Sequence, residues 1–126
     1  MPSNVLRQAL RPDCVRLRLS ANDKAGVIHE LLDILEDAGL LSDREAAEKV
    51  VFDRESSMST GLEKGLAIPH GKTDSVDRLL VSVGLKPEGV DFDSLDGDPA
   101  RIFFLTLSPA SVSGPHIRFM AEVSAV

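Results

Sequence analysis

The sequence contains no tryptophan or tyrosine, five phenylalanines and a single cysteine, Cys14. The absence of tryptophan and tyrosine removes the usual aromatic platforms on which single-stranded nucleic acids stack. The formal net charge of −6 points the same way, because binding to a phosphate backbone needs a basic face. One cysteine excludes an internal disulfide, as fits a reducing cytosol. We therefore expect no nucleic-acid partner, and we read Cys14 as a small buried apolar residue.

Long apolar runs are also missing. The first residues, Met-Pro-Ser-Asn-Val-Leu-Arg, lack the apolar core of a signal peptide, and no segment approaches the length of a membrane span. We therefore expect a cytoplasmic protein that does not insert into a membrane. With 126 residues, 43% hydrophobic and 27% charged, the chain is predicted to form one globular domain over residues 1–126.

The first part of the chain predicts one strand and two helices. From Val15 to Leu19 apolar and charged residues alternate, as in a half-buried strand. Asn22 is a predicted N-cap for a helix that runs to about residue 38 and stops at Gly39. Ser42 and Glu45 match a capping box that opens a second helix. The residues predicted to face the core are Ile28, Leu31, Leu32 and Leu35 in the first helix and Ala46, Ala47, Val50 and Val51 in the second.

The second part of the chain predicts two long strands and a last helix. Leu79 to Leu85 and Ile102 to Leu107 are apolar runs typical of buried strands, and the turn-rich segment Asp91 to Pro99 connects them. Pro115 suits the first turn of a final helix. Because strands and helices alternate, we predict an α/β fold, a single-domain sandwich with a mixed central β-sheet flanked by helices.

The most informative segment reads STGLEKGLAIPHGK and runs from Ser59 to Lys72. Pro69 fixes its own φ and restrains Ile68 to an extended conformation, while Gly71 permits a sharp exit. His70 is therefore predicted on a stiff turn at the end of a buried strand. An imidazole held in this way can act as a nucleophile, a general base or a metal ligand, although a histidine on a turn often only makes a hydrogen bond.

Several neighbours of His70 in the sequence are suited to an anion. Gly61 and Gly65 have a spacing that would leave main-chain N–H groups available, and Thr60 adds a hydroxyl donor. Arg54 falls on the core-facing side of the second predicted helix. It either complements the helix dipole at the last turn or reaches the loop at Thr60 and Gly61 to help hold an anion. The segment is not a P-loop, because no Gly-Lys-Ser/Thr follows the glycines.

A second histidine, His116, falls in the first turn of the predicted last helix. The helix dipole there disfavours an imidazolium, so this histidine is expected to stay neutral. Alone it reads as an ordinary structural residue, but with His70 it fits a shared site at one edge of an α/β sheet. The remaining histidine, His29, lies off the apolar stripe of its helix and is expected to be exposed.

Four chemistries compete for this site. The three histidines have no metal-ligand spacing, and Ser57 and Ser59 lack the context of a hydrolase nucleophile. A pure binding module stays open. Phosphoryl transfer to histidine fits best, because it needs one neutral imidazole nucleophile and neighbouring donors that stabilise charge on the phosphoryl oxygens.

The same residues resemble the signature of a known family. Arg54-Glu55, then Ser59-Thr60-Gly61, then Gly65 through Lys72 are similar to enzyme IIA domains of the bacterial phosphotransferase system, fructose/mannitol class, which also contains nitrogen-regulatory homologues. The resemblance covers most of the chain and continues through Val90-Asp91-Phe92-Asp93, Asp96-Gly97, Phe103-Phe104-Leu105, Pro109 and His116.

This resemblance implies a specific chemistry. The histidine of the Pro-His motif, here His70, would be phosphorylated by the carrier protein HPr. His116 would be a second active-site histidine that hydrogen-bonds the phosphohistidine site, with Arg54 and Thr60 as electrostatic and hydrogen-bonding support. No metal and no organic cofactor is implied.

The resemblance leaves two functions open. In sugar-transport members the phosphoryl group moves to a cysteine of a IIB domain and then to a sugar that enters through the membrane domain IIC. Such a protein would approach the membrane only through IIB. In regulatory members the phosphorylation state is itself the output and is read by binding partners.

Two departures from the family pattern are visible. The usual Thr-Gly-Ile-Gly is replaced by Thr60-Gly61-Leu62-Glu63, which adds a carboxylate that would repel a phosphoryl group unless it points outward. The chain also stops at Val126, where family members generally continue. From the sequence we expect a last helix that is either truncated or naturally short.

Overall fold

The computed structural model describes residues 11–62 and 64–110. The predicted last helix with His116, and Glu63 in the central motif, lie outside the described residues. The elements are a short 3-10 turn at Pro12–Cys14 followed by β1 (Val15–Arg16), α1 (Lys24–Asp37), α2 (Arg44–Ser57), β2 (Leu66–Ala67), β3 (His70–Lys72), β4 (Leu80–Val90) and β5 (Ala100–Ser108).

The strands form one mixed five-stranded sheet in the order β1-β4-β5-β2, with β3 also paired to β5. β4 and β5 are antiparallel, whereas β1 runs parallel to β4. β2 and β3 both run parallel to β5 and follow one another along the same edge, so that His70 lies opposite Thr106. The mixed α/β fold predicted from the sequence is confirmed.

The two helices pack on one face of this sheet. Side chains alternate along β5, so Phe103, Leu105 and Leu107 belong to the core shared with α1 and α2. Ile68, Val81 and Val83 form a smaller cluster on the other face, against which Phe104 packs. His70 shares the face of Thr106 because paired residues of neighbouring strands point the same way. The histidine is thereby placed on the face away from α1 and α2.

Both helices begin one residue later than the sequence indicates. Asp23, not Asn22, caps α1 by accepting a hydrogen bond from the N–H of Gly26 at 2.7 Å. Asp43 caps α2 in the same way through the N–H of Ala46, so the predicted capping box at Ser42 is wrong. In each case an aspartate directly follows the predicted residue, and its carboxylate reaches the free amides at the helix start.

The predicted apolar stripe of α1 is confirmed, since each of its four residues is buried, and Gly39 follows the helix with a φ of 75°. On α2, Ala47 and Val51 are buried, and Val50 is half-buried against β3. Cys14 is buried as expected, and this burial raises the pKa of its thiol.

The predicted half-buried strand from Val15 to Leu19 is wrong in extent and in burial. β1 contains only Val15 and Arg16, and Val15 and Leu17 are 40% and 72% exposed. Leu19 alone of the three apolar residues is buried. Its side chain covers Gly84 so closely that a Cβ there would lie 2.7 Å from a Leu19 methyl carbon. β1 is at the edge of the sheet, and the chain leaves it after two residues.

We expect Gly71→Ala to destabilise the protein by about 1–3 kcal/mol, the usual range for overpacking. A Cβ at this position would lie 2.6 Å from Cγ2 and 3.1 Å from the carbonyl carbon of Val50, so α2 would have to move away from β3. Urea unfolding followed by circular dichroism measures the effect. Val50→Ala should cost less in the Gly71→Ala background than in the wild type, and an unchanged unfolding midpoint for Gly71→Ala would contradict this account of the contact.

Candidate active site

His70 is the first residue of β3, and the sheet holds the backbone on both sides of it. The carbonyl of Pro69 accepts a hydrogen bond from the N–H of Thr106 at 3.0 Å, which extends the pairing with β5 to the residue before the histidine. Pro69 itself has no N–H to lose. The turn predicted at His70 is therefore the start of a short strand, and its rigidity comes from the sheet as well as from proline.

The ring of His70 has a defined tautomer. Its Nδ1 lies 2.8 Å from the carbonyl oxygen of Ile68. Since a carbonyl only accepts hydrogen bonds, Nδ1 must carry the proton in this contact. In the neutral ring the lone pair then lies on Nε2, which becomes the nucleophilic nitrogen.

Burial lowers the pKa of the half-buried His70 below its usual value. The hydrogen bond to Ile68 opposes this effect, Arg54 adds to it by charge repulsion, Glu55 opposes it by attraction, and Lys72 adds a smaller repulsion. The net direction is downward, so the imidazole is held in its neutral form near neutral pH. A neutral imidazole is the form that can attack phosphorus or accept a proton.

Arg54 lies in the last turn of α2, and its part in holding an anion stays a prediction. Its Nη1 donates to the carbonyl of Met58 at 2.8 Å, where the chain leaves α2, and it is the basic residue of the last helical turn. Its charge also acts on His70. The guanidinium thus binds the chain two residues before Thr60, close enough to influence the imidazole.

Thr60 is buried and is bound by Glu55. Its N–H donates to Oε2 of Glu55 at 2.9 Å, and its hydroxyl donates to Oε1 at 2.5 Å. The hydroxyl proton that the sequence suggested for an anion is therefore engaged by a carboxylate in this structure. Thr60 instead fixes the loop between α2 and β2.

Sequence reasoning missed Glu55 and Lys24 as members of this site. The Glu55 side chain is 6% exposed, and Lys24 Nζ lies 2.7 Å from its Oε2. One signal was available, because residue 55 follows the buried residues 47 and 51 at four-residue intervals on the same face of α2. A carboxylate in that series requires a buried partner, but nothing in the sequence identifies Lys24 as that partner.

The prediction that the N–H groups of Gly61 and Gly65 line an anion site is wrong. The N–H of Gly61 donates to Oγ of Ser59 at 3.0 Å. Gly65 lies beside the beginning of β5, where its carbonyl accepts from the N–H groups of Arg101 and Ile102. His70 pairs four residues further along β5, about 13 Å away at the usual rise of a strand. Gly65 serves the tight turn into β2 with a φ of 77°, whereas Gly61 pairs with Ala67 and lies so close to Ser94 that a Cβ would come within 2.6 Å of its hydroxyl oxygen.

His29 lies at the α1–α2 interface, and its exposed position is confirmed. Its side chain is 50% exposed, its Nδ1 lies 2.9 Å from Oε1 of Glu48, and its ring contacts that of Phe52. Within residues 11–62 and 64–110, no group of three or more histidine, cysteine, aspartate or glutamate side chains is placed to hold a metal ion. Neither described helix has the length and apolar content needed to cross a bilayer.

The fold and the site together define a mixed α/β domain with a neutral, half-buried histidine at a sheet edge and a cationic side chain near it. The family model described as phosphoenolpyruvate-dependent sugar phosphotransferase system, EIIA 2, matches residues 8–126. The chain belongs to this family, which confirms the resemblance seen in the sequence.

Two curated relatives and one solved structure show the extent of this likeness. A fructose-specific EIIABC component from Bacillus subtilis is 34% identical over 119 residues, which are 94% of this chain and 19% of the relative. A fructose-specific EIIA component from Haloferax volcanii is 40% identical over 101 residues, 80% of this chain and 66% of the relative. The chain thus spans less than two thirds of either relative.

The crystal structure of the nitrogen regulatory protein IIA-Ntr from Neisseria meningitidis superimposes with a TM-score of 0.81 at 27% identity. The match covers 94% of this chain and 80% of that structure. The chain is therefore similar in sequence to proteins named as fructose-specific components and in structure to a protein named for nitrogen regulation.

We expect Arg54→Gln to raise the pKa of His70, because the guanidinium repels the imidazolium. An NMR titration of the His70 ring protons measures the shift. Arg18→Gln is the matched control, since Arg18 is exposed, pairs with Glu88 and is not among the charges that shift His70. Equal His70 pKa values in the two variants would show that the charge of Arg54 does not act on the ring.

Proposed function

We propose that the domain is a phosphoryl carrier of the phosphoenolpyruvate-dependent phosphotransferase system that accepts a phosphoryl group from phospho-HPr on His70. The observation that supports this most directly is the hydrogen bond from Nδ1 of His70 to the Ile68 carbonyl at 2.8 Å. It leaves the lone pair on Nε2, and the lowered pKa of the ring favours the form in which Nε2 is not protonated.

In the proposed step Nε2 of His70 attacks phosphorus while the bond between phosphorus and the donor breaks. The ring becomes a phosphorylated imidazolium that keeps its proton on Nδ1. The Ile68 carbonyl stabilises this cation, because its hydrogen bond raises the pKa of the ring. Burial and the charges of Arg54 and Lys72 have the opposite effect, because they disfavour the cation. They therefore favour transfer of the phosphoryl group from His70 to an acceptor.

The other site residues have supporting roles in this proposal. Arg54 supplies positive charge to the phosphoryl oxygens, which carry most of the charge in the transition state. His116 hydrogen-bonds the phosphohistidine site, as the family resemblance implies. Thr60 acts through its bonds to Glu55, which hold the loop beside His70. The step needs no metal or organic cofactor.

We propose a IIB cysteine as the acceptor, with sugar uptake as the outcome. The Bacillus relative supports this, because its name joins A, B and C components in one chain. Both fructose-specific relatives are also more similar in sequence than the nitrogen regulatory structure. The second candidate is a regulatory module whose phosphorylation state is read by partners, and its support is the close superposition on IIA-Ntr.

The first test is phosphorylation by phosphoenolpyruvate, enzyme I and HPr, followed by intact mass before and after mild acid. We expect the wild type to gain one acid-labile phosphoryl group and His70→Ala to gain none. His29→Ala is the matched control and should be labelled like the wild type, because His29 is exposed and contacts Glu48 instead of the site. Full labelling of His70→Ala would refute the assignment.

The second test separates the two destinations. The phosphorylated domain is purified, mixed with a fructose-specific IIB domain and assayed for loss of the phosphoryl group. We expect transfer from the wild type, and we expect His116→Ala to accept the group but pass it on more slowly. A phosphorylated domain that donates to no IIB protein would favour the regulatory function.

A further inference from the structure

Glu55 lies at the centre of a buried cluster that joins four segments of the chain. Its carboxylate accepts hydrogen bonds from the N–H and the hydroxyl of Thr60, and it lies 2.7 Å from Lys24 Nζ. Lys24 in turn lies 3.4 Å from a carboxylate oxygen of Asp93 and 4.9 Å from the ring centre of Phe92. The start of α1, the end of α2, the loop before β2 and the loop after β4 therefore meet at the ion pair of Glu55 and Lys24, with Asp93 on its exposed side.

This cluster is connected to His70 by successive hydrogen bonds. The carbonyl of Thr60 accepts the N–H of Ile68 at 3.0 Å. The carbonyl of Ile68 accepts Nδ1–H of His70 at 2.8 Å. Hydrogen bonds thus link the imidazole to Ile68, Ile68 to Thr60 and Thr60 to Glu55, and in each of them the donor is on the side of the imidazole.

Because the residues that make these hydrogen bonds are buried, breaking one of the bonds would disturb the next. Ile68 is 1% exposed and Thr60 is 4% exposed, so neither backbone can readily exchange its partner for water. If Thr60 shifts, the N–H of Ile68 loses its acceptor, and the Ile68 carbonyl that faces His70 loses its support on the N-terminal side. The ring then loses the contact that places the proton on Nδ1.

We propose that Glu55, held in place by Lys24, is a positioning residue that fixes His70 in the Nδ1–H tautomer and thereby directs Nε2 to the phosphoryl group. The inference rests on the proposed function of His70 as acceptor. Glu55 touches neither the imidazole nor the phosphoryl group in this mechanism, and its effect passes through Thr60 and Ile68.

The test is Glu55→Gln, which keeps the shape of the side chain but replaces one acceptor oxygen by an amide donor. The amide NH2 group cannot accept, so the side chain can no longer take the N–H and the hydroxyl of Thr60 on two separate oxygens, and the loss of charge removes the ion pair with Lys24. Glu45→Gln is the matched control, because Glu45 is an exposed carboxylate about 15 Å away at the other end of α2. The readout is the nitrogen-15 NMR spectrum of the His70 ring in the unphosphorylated protein.

We expect the wild type and Glu45→Gln to show the Nδ1–H tautomer and Glu55→Gln to show a mixture of both tautomers. We also expect the rate of phosphoryl acceptance by Glu55→Gln to fall about tenfold, because the attacking nitrogen is misoriented in part of the population. A Glu55→Gln protein with the wild-type tautomer would overturn the proposal.

A second pair of variants decides the question if Glu55→Gln does not fold. Thr60→Ser keeps the hydroxyl that donates to Glu55 and should retain the wild-type tautomer. Thr60→Val loses that donor and should shift the tautomer as Glu55→Gln does, and equal spectra for the two variants would refute the role of this contact. Failure of the proposed function is recognised separately, because it would appear as labelling of His70→Ala, whereas the tautomer is measured without any phosphoryl group.

Discussion

The parallel pairing of β3 with β5 is the constraint on which the site depends. It sets His70 opposite Thr106 and Gly71 opposite Leu107, so the histidine and the glycine point to opposite faces of the sheet. Gly71 then lies directly against Val50, which brings α2 down onto β3. This contact holds the end of α2 near enough to β3 for the charges of Arg54 and Glu55 to act on the histidine, although the ring lies on the opposite face of the sheet.

The electrostatics of the site follow from this placement. Burial and two cations lower the pKa of His70, while the Ile68 carbonyl and Glu55 raise it. The downward effects on the pKa are larger, which favours the neutral ring, yet each opposing contact would favour the imidazolium of the proposed phosphorylated state. Such a balance of opposed interactions suits the proposed role, in which the histidine both accepts and releases a phosphoryl group.

Much of the fold could be predicted from periodicity, and the errors have local causes. The buried face of α1 was predicted from the helical spacing of its apolar residues, and β4 and β5 were predicted from continuous apolar runs. Both signals arise because buried positions require apolar residues. The caps were misplaced by one residue because Asn22 and Ser42 each precede an aspartate, and the sequence pattern does not show which side chain reaches the free amides. β1 was overestimated because alternation describes a strand in a sheet, whereas the chain leaves the sheet after Arg16.

The sequence by itself indicated the candidate reactive residue, because Pro69 fixes its own φ and keeps Ile68 extended before His70 whatever surrounds them. It also indicated the family, since the motif from Arg54 to Lys72 is contiguous. Only the tertiary structure decided which groups act on that histidine. Glu55 acts on His70 from α2 and is itself paired with Lys24 of α1, and the Gly61 amide donates to Ser59 instead of lining a site. Such contacts depend on how helices and strands pack, and no local pattern of residues encodes that packing.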